Sequence, residues 1–96
     1  MIISFGNTLA EDLYFDKKSK EVRKFPKDIH RVARRKLLYL HDAGDLDDLR
    51  VPPGNRLERL KGDLSGFHSI RINDQWRVIF KWENGNASEV TIVDYH

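Results

Sequence analysis

Apolar residues follow two rhythms along this chain, a helical one in the first half and a two-residue alternation in the second. Ile29, Val32, Ala33, Leu37 and Leu40 recur at helical spacing, with His30, Arg31, Arg34, Arg35 and His41 on the opposite side. Pro26 suits a first helical position, Asp28 lies where the helix dipole favours an acid, and Gly44 offers a stop. A shorter helix is expected before it, capped by Asn7 or Thr8 and running to about Phe15, with Leu9, Leu13 and Tyr14 inward. Met1 to Phe5 reads as an opening strand ended by Gly6-Asn7, and Asp16 to Lys24 as a basic connection.

Beyond Gly44 the pattern changes. Asp45 to Asn55 contains Pro52-Pro53-Gly54 and reads as mostly loop. Arg56 to Lys61, Phe67 to Ile72, Trp76 to Trp82 and Val90 to Val93 then have strand-like alternation or β-branched content. Turns are expected at Gly62-Asp63, Asn73-Asp74 and Glu83 to Asn86. The order is one strand, two helices, then about four further strands. It predicts an α+β single domain over residues 1–96, with helices on one face of a mainly antiparallel sheet.

Strand parity separates a core face from an open one. Trp76, Val78, Phe80 and Trp82 share one parity, and His68, Ile70 and Ile72 share another. Both sets pack under the helices if a three-residue loop, Asn73 to Gln75, joins the strands. Arg71 and Arg77 then stand opposite each other on the other face. Facing like charges destabilise a sheet unless something compensates. A bound anion would do so, since guanidinium groups suit phosphate by geometry; two long side chains splayed into water are the alternative.

Composition adds an uneven charge and several exclusions. The 17 basic and 15 acidic residues leave a net charge of only +2. Yet ten basic residues lie between Lys17 and Lys36, against only Glu21 and Asp28, and an acidic patch of Asp42, Asp45, Asp47 and Asp48 follows. Such a basic cluster attracts phosphates or acidic partners, or is simply a solvated helix face. With no cysteine, the 96 residues hold no disulfide, thiolate metal site or thiol nucleophile. His30, His41, His68 and His96 lack short ligand spacing, and neither a Gly-x-Ser-x-Gly elbow nor a phosphate-cradling glycine loop occurs. Neither metal nor cofactor is therefore expected. Apolar runs fall far short of the roughly 20 residues of a membrane span, and the start lacks a secretory signal, so a cytoplasmic protein without membrane contact is expected. The closing Asp94-Tyr95-His96 offers an acid, an aromatic ring and an imidazole, groups suited to proton transfer and base stacking.

The run from Pro53 to Asp63 with its Leu60-Lys61-Gly62, the run from Gly66 to Phe80 with its Asn73-Asp74-Gln75-Trp76-Arg77, and the closing Val93-Asp94-Tyr95-His96 together resemble HigB-type toxins of the RelE/ParE toxin–antitoxin superfamily. The resemblance implies a RelE-like fold and a ribosome-dependent endoribonuclease that cuts messenger RNA in the ribosomal A site without a metal. It also implies neutralisation by a HigA-type helix-turn-helix antitoxin, with operator DNA bound only through that antitoxin. Carried over by position, Lys61, Arg77, Asp94, Tyr95 and His96 match residues the family uses at its active site. Glu58 stands where some members have histidine, leaving Glu58 or Asp94 as base. Arg71 would add a second contact to substrate phosphate. Lys24, Lys27, Arg31, Arg34 and Arg35 would meet ribosomal RNA phosphates or acidic antitoxin residues. Two rival expectations are a ParE-like gyrase inhibitor of the same fold and a non-catalytic RNA- or protein-binding module.

Overall fold

A computed structural model describes residues 1–95; His96, the last of the sequence's candidate site residues, lies outside the described residues. Three helices, α1 (Thr8–Tyr14), α2 (Lys20–Lys24) and α3 (His30–Asp42), precede four strands, β1 (Glu58–Arg59), β2 (Phe67–Arg71), β3 (Trp76–Glu83) and β4 (Asn86–Asp94). The strands form one antiparallel sheet in chain order, β1-β2-β3-β4. The expected opening strand does not form as a strand; Met1 to Phe5 instead runs as a parallel lane along the far side of β4, joined by two isolated bridges, Ile2 to Ala87 and Phe5 to Val90.

That lane is interrupted for a physical reason. Between Ile79↔Thr91 and Lys81↔Ser88 the β3–β4 register shifts, and Glu89 sits at φ 50° in the extra turn of chain, as a β-bulge requires. Gly6 crosses here so closely that a Cβ on it would lie 2.1 Å from Thr91 Oγ1. At the other end of the hairpin, Asn84 and Gly85 both take positive φ, the two-residue turn that Asn-Gly favours, and Glu83 pairs with Asn86.

The helices differ from the sequence reading in their bounds. Asn7 caps α1 as expected, its Oδ1 accepting from the Ala10 N–H at 3.0 Å while its Nδ2 donates to the Ile92 carbonyl at 2.9 Å, which ties the helix to β4. The connection Asp16 to Lys24 contains the extra helix α2, because Ser19 caps it and Phe25 buries itself directly after it. Pro26 starts only a 3-10 turn, Lys27–Ile29, so the long helix begins at His30 and is capped by Ala43, one residue before Gly44. His41 is not on the solvent side: its Nδ1 accepts from the Ile2 N–H at 3.2 Å. Strand β1 is two residues rather than six, whereas β4 extends back to Asn86.

Parity works as the alternation requires. Ile70 pairs with Val78 and Arg71 with Arg77, and the Ile72 N–H donates to the Trp76 carbonyl at 3.0 Å across the loop Asn73 to Gln75. Leu37 and Leu40 of α3 and Leu13 of α1 pack with Ile70, Val78, Phe80, Val90 and Ile92 in one core between helices and sheet. Phe25 closes one end of that core by meeting the Trp76 ring edge-on at 4.9 Å.

Candidate active face

The face of the sheet turned away from the helices carries Glu58, Ser69, Arg71, Arg77, Ile79, Thr91, Val93 and Tyr95, all of one parity through the registers Glu58↔Ser69, Ser69↔Ile79, Ile79↔Thr91 and Arg77↔Val93. Its centre is packed, since Ser69 and Ile79 are buried. The two arginines gather instead at the end next to the β2–β3 loop.

That loop holds each of them. The Asn73 Oδ1 accepts from the Gln75 and Trp76 N–H groups at 2.9 and 2.8 Å, closing a tight Asx turn. Asp74 pairs with the Arg71 guanidinium. Arg77 directs Nη1 to the Asn73 carbonyl and, at 3.1 Å, to the Trp76 carbonyl. These partners, together with the Tyr95 ring 5.6 Å from Arg77 Cζ, stabilise the two opposed guanidinium groups. The compensation expected from an anion is thus partly supplied by the chain itself. The Nε–Nη2 edge of Arg77 is the one that two phosphate oxygens can take in bidentate fashion.

Gln75 fixes the end of β4. Its carbonyl accepts from the Tyr95 N–H at 2.6 Å, and its Nε2 donates to Asp94 Oδ2 at 3.0 Å. Asp94 pairs with Trp76 and so has the opposite parity to Arg77 and Tyr95. The structure therefore brings Arg71, Arg77 and Tyr95 together and puts Glu58 on their face, while Asp94 lies on the other side of the strand. Lys61 is exposed just past β1, at the start of the 3-10 turn Gly62–Leu64. Lys24, Lys27, Arg31, Arg34 and Arg35 are exposed on the helical layer, behind the sheet as seen from Arg77.

Sequence reasoning missed the loop's role and one buried cation. Lys36 is only 6% exposed and donates from Nζ to Asn55 Oδ1 at 2.5 Å; burial, then Arg35 and Arg71, push its pKa below the usual lysine value. Asn55, itself fully buried, passes the bond on to the carbonyls of Leu49 and, at 3.4 Å, Val51. The signal was present, since Lys36 occupies the same helical stripe as Ile29, Val32, Ala33, Leu37 and Leu40.

Residues 11–96 match the family model described as a RelE-like toxin of type II toxin-antitoxin system HigB. The chain belongs to the HigB-like toxin family. It is 43% identical to Toxin HigB-1 of Vibrio cholerae serotype O1 over all of this chain and 98% of that protein. It is also 42% identical to Endoribonuclease HigB of Proteus vulgaris over 43% of this chain and 45% of that protein. Among solved structures, the YoeB-YefM complex from Staphylococcus aureus aligns with TM-score 0.61 at 18% identity, covering 100% of this chain and 98% of that one. A mutant of YafQ from E. coli aligns with TM-score 0.60 at 16% identity, covering 98% of this chain and 91% of that one. These structural likenesses show the fold, so this HigB-like toxin has the RelE-type arrangement expected from its sequence. Among the described residues, no helix is long and apolar enough to cross a membrane.

Proposed function

We propose that this HigB-like toxin is an endoribonuclease that cuts messenger RNA in the A site of the translating ribosome, without a metal. The observation that carries the reading is Arg77: its guanidinium is pinned by the Asn73 and Trp76 carbonyls beside the Tyr95 ring, opposite a second arginine. A preorganised cation next to an aromatic platform suits a phosphate and the base attached to it. The name of the Proteus vulgaris relative agrees with this chemistry.

Cleavage would begin when a base takes the proton of a ribose 2′-hydroxyl. The 2′-oxygen then bonds to the adjacent phosphorus, and the bond to the 5′-oxygen breaks as that oxygen receives a proton. Glu58 shares a face with Arg77 and is favoured as the base; Asp94, across the strand, is better placed to hold the chain end through Gln75. His96 would protonate the leaving oxygen near neutral pH. Arg77 and Lys61 would offset charge growing on the phosphorane oxygens, Arg71 would exchange Asp74 for a substrate phosphate, and Tyr95 would stack on a base. The exposed residues Lys24, Lys27, Arg31, Arg34 and Arg35 give the toxin a surface for ribosomal RNA or an antitoxin of the HigA type.

Induced expression followed by primer extension on a defined message tests this reading. Discrete cuts inside translated codons are expected, lost when initiation is blocked and lost on deletion of His96. Arrest of growth with uncut messages would instead favour a binding inhibitor.

A further inference from the structure

The open face carries a second cation–aromatic pair at the end away from the β2–β3 loop. Phe67 of β2 pairs with Lys81 of β3, and the steps Phe67–Ser69–Arg71 and Arg77–Ile79–Lys81 keep both on the face that holds Arg77. Lys81 Nζ lies 5.3 Å from the centre of the half-buried Phe67 ring, much as Arg77 Cζ lies 5.6 Å from that of Tyr95. Four residues of strand, about 13 Å, separate the two cations, with the buried Ser69 and Ile79 as the floor between them.

The bulge in β4 adds a carboxylate to this pair. Glu89 falls in the register shift, outside the ladder, and its Oε2 meets Lys81 Nζ at 2.8 Å, with each side chain about half exposed. Its backbone stands at φ 50°, a strained conformation for a residue with a Cβ. Two neighbours impose it: the Glu89 N–H donates to Ser4 Oγ at 2.9 Å, and the Glu89 carbonyl accepts from Thr91 Oγ1 at 2.9 Å. Strain that the surroundings hold in place, on a residue whose side chain adds nothing to the core, is typical of ligand clamps.

We propose that Phe67, Lys81 and Glu89 form a second nucleotide site, which takes a base of the message outside the cut phosphodiester; the site rests on the endoribonuclease reading above. An aromatic ring on an exposed sheet face is a surface on which an unstacked RNA base packs. Beside that ring Lys81 donates and Glu89 accepts, 2.8 Å apart, and a base edge can present an acceptor next to a donor, as adenine does with N7 and N6. The two charges cancel, so the site suits an uncharged base and leaves the phosphates to Arg77 and Arg71. On entry the base takes the place of the Lys81 ammonium over the ring. The distance of about 13 Å between Arg77 and Lys81 exceeds a stacked nucleotide step of about 3.4 Å. The base therefore belongs to a neighbouring nucleotide and not to the one being cut.

The test measures single-turnover cleavage by the full-length toxin on purified ribosomes. Each message carries one abasic nucleotide, stepped along the positions that flank the cut. One flanking position is expected at which loss of the base lowers the rate about tenfold, the usual contribution of a stacked base. Phe67→Leu should lose the same factor on the intact message and become indifferent to the abasic nucleotide at that position, while Phe67→Tyr restores both. Glu89→Gly relieves the strain at φ 50°, so it should not lower the thermal midpoint, yet it should alter the preference among bases at that position alone. Abasic sensitivity that survives undiminished in Phe67→Leu, or that is absent outside the cut nucleotides, would overturn the site. A parent toxin that cuts nothing would overturn the endoribonuclease reading instead. The site is then judged by titrating nitrogen-15-labelled toxin with single-stranded RNA of about six nucleotides. Saturable shifts of the Phe67, Lys81 and Glu89 amides, weakened about tenfold in Phe67→Leu, uphold it, and unmoved amides overturn it.

Discussion

Gln75 grips the end of β4 twice, through its carbonyl to the Tyr95 N–H at 2.6 Å and through its side chain to Asp94 Oδ2 at 3.0 Å. The neighbouring Asn73 and Asp74 hold Arg77 and Arg71, so three consecutive loop residues set the geometry of the whole open face.

Gln75→Ala should therefore act on turnover without unfolding the protein. Displacing a catalytic end by about 1 Å costs up to ~100-fold in rate, and a loss of roughly tenfold or more is expected. Gln75→Glu, which sets a second carboxylate beside Asp94, should be worse than alanine. Cleavage rates on purified ribosomes, read beside the thermal midpoint, check both; unchanged rates would remove Gln75 from the positioning role.

Arg77→Ala should lower cleavage by about 10²–10³-fold, the usual loss of a transition-state contact. Arg77→Lys keeps the charge but loses the planar fork that meets two carbonyls and a phosphate, and it should recover little. Toxicity at equal expression is the first measurement, and single-turnover cleavage the second.

The position of Arg77 was legible from strand parity because alternation alone puts it opposite Arg71, and one wrong loop length would have turned it into the core. The loop's hydrogen bonds were not legible, because Asn73, Asp74 and Gln75 read as a polar turn whatever they hold. Lys36 was hidden for another reason: a lysine on an apolar stripe normally extends its ammonium into water, and Asn55, nineteen residues on, together with the Tyr39 ring 5.8 Å away, gives it a reason to stay inside.

Asn55→Ala should destabilise the fold by about 2–3 kcal/mol, since it strands the buried Lys36 ammonium together with the carbonyls it serves. Lys36→Met with Asn55→Leu should recover part of that loss, as apolar replacement of both partners of a buried pair often does. Urea denaturation of the two variants measures the difference.

Trp76→Ala should cost about 3 kcal/mol through loss of the contact with Phe25. Trp76→Phe should cost less than its lost volume suggests, because it also removes an indole N–H that is buried without a partner among the described residues. Thermal melts of both variants give the comparison.

Burial, and then the Arg59 charge, hold the His68 pKa below the usual histidine value. The unfolded chain thus binds more protons than the folded one below about pH 6.5–7, so stability falls as pH drops through that window. His68→Gln should flatten this part of the profile, seen as a smaller loss of melting temperature between about pH 7.5 and 5.5.

β4 lies between β3 on one side and the first six residues on the other, with the Ile3 and Gly6 N–H groups donating to Ala87 and Val90. Synthesis sets an order on that arrangement. Residues 1–6 are made before residues 87–90 and must stay unpaired until those have followed. Until then β4 is missing, and with it the strand that carries Tyr95 to Arg77. A chain whose β4 is incomplete consequently lacks the geometry of the open face.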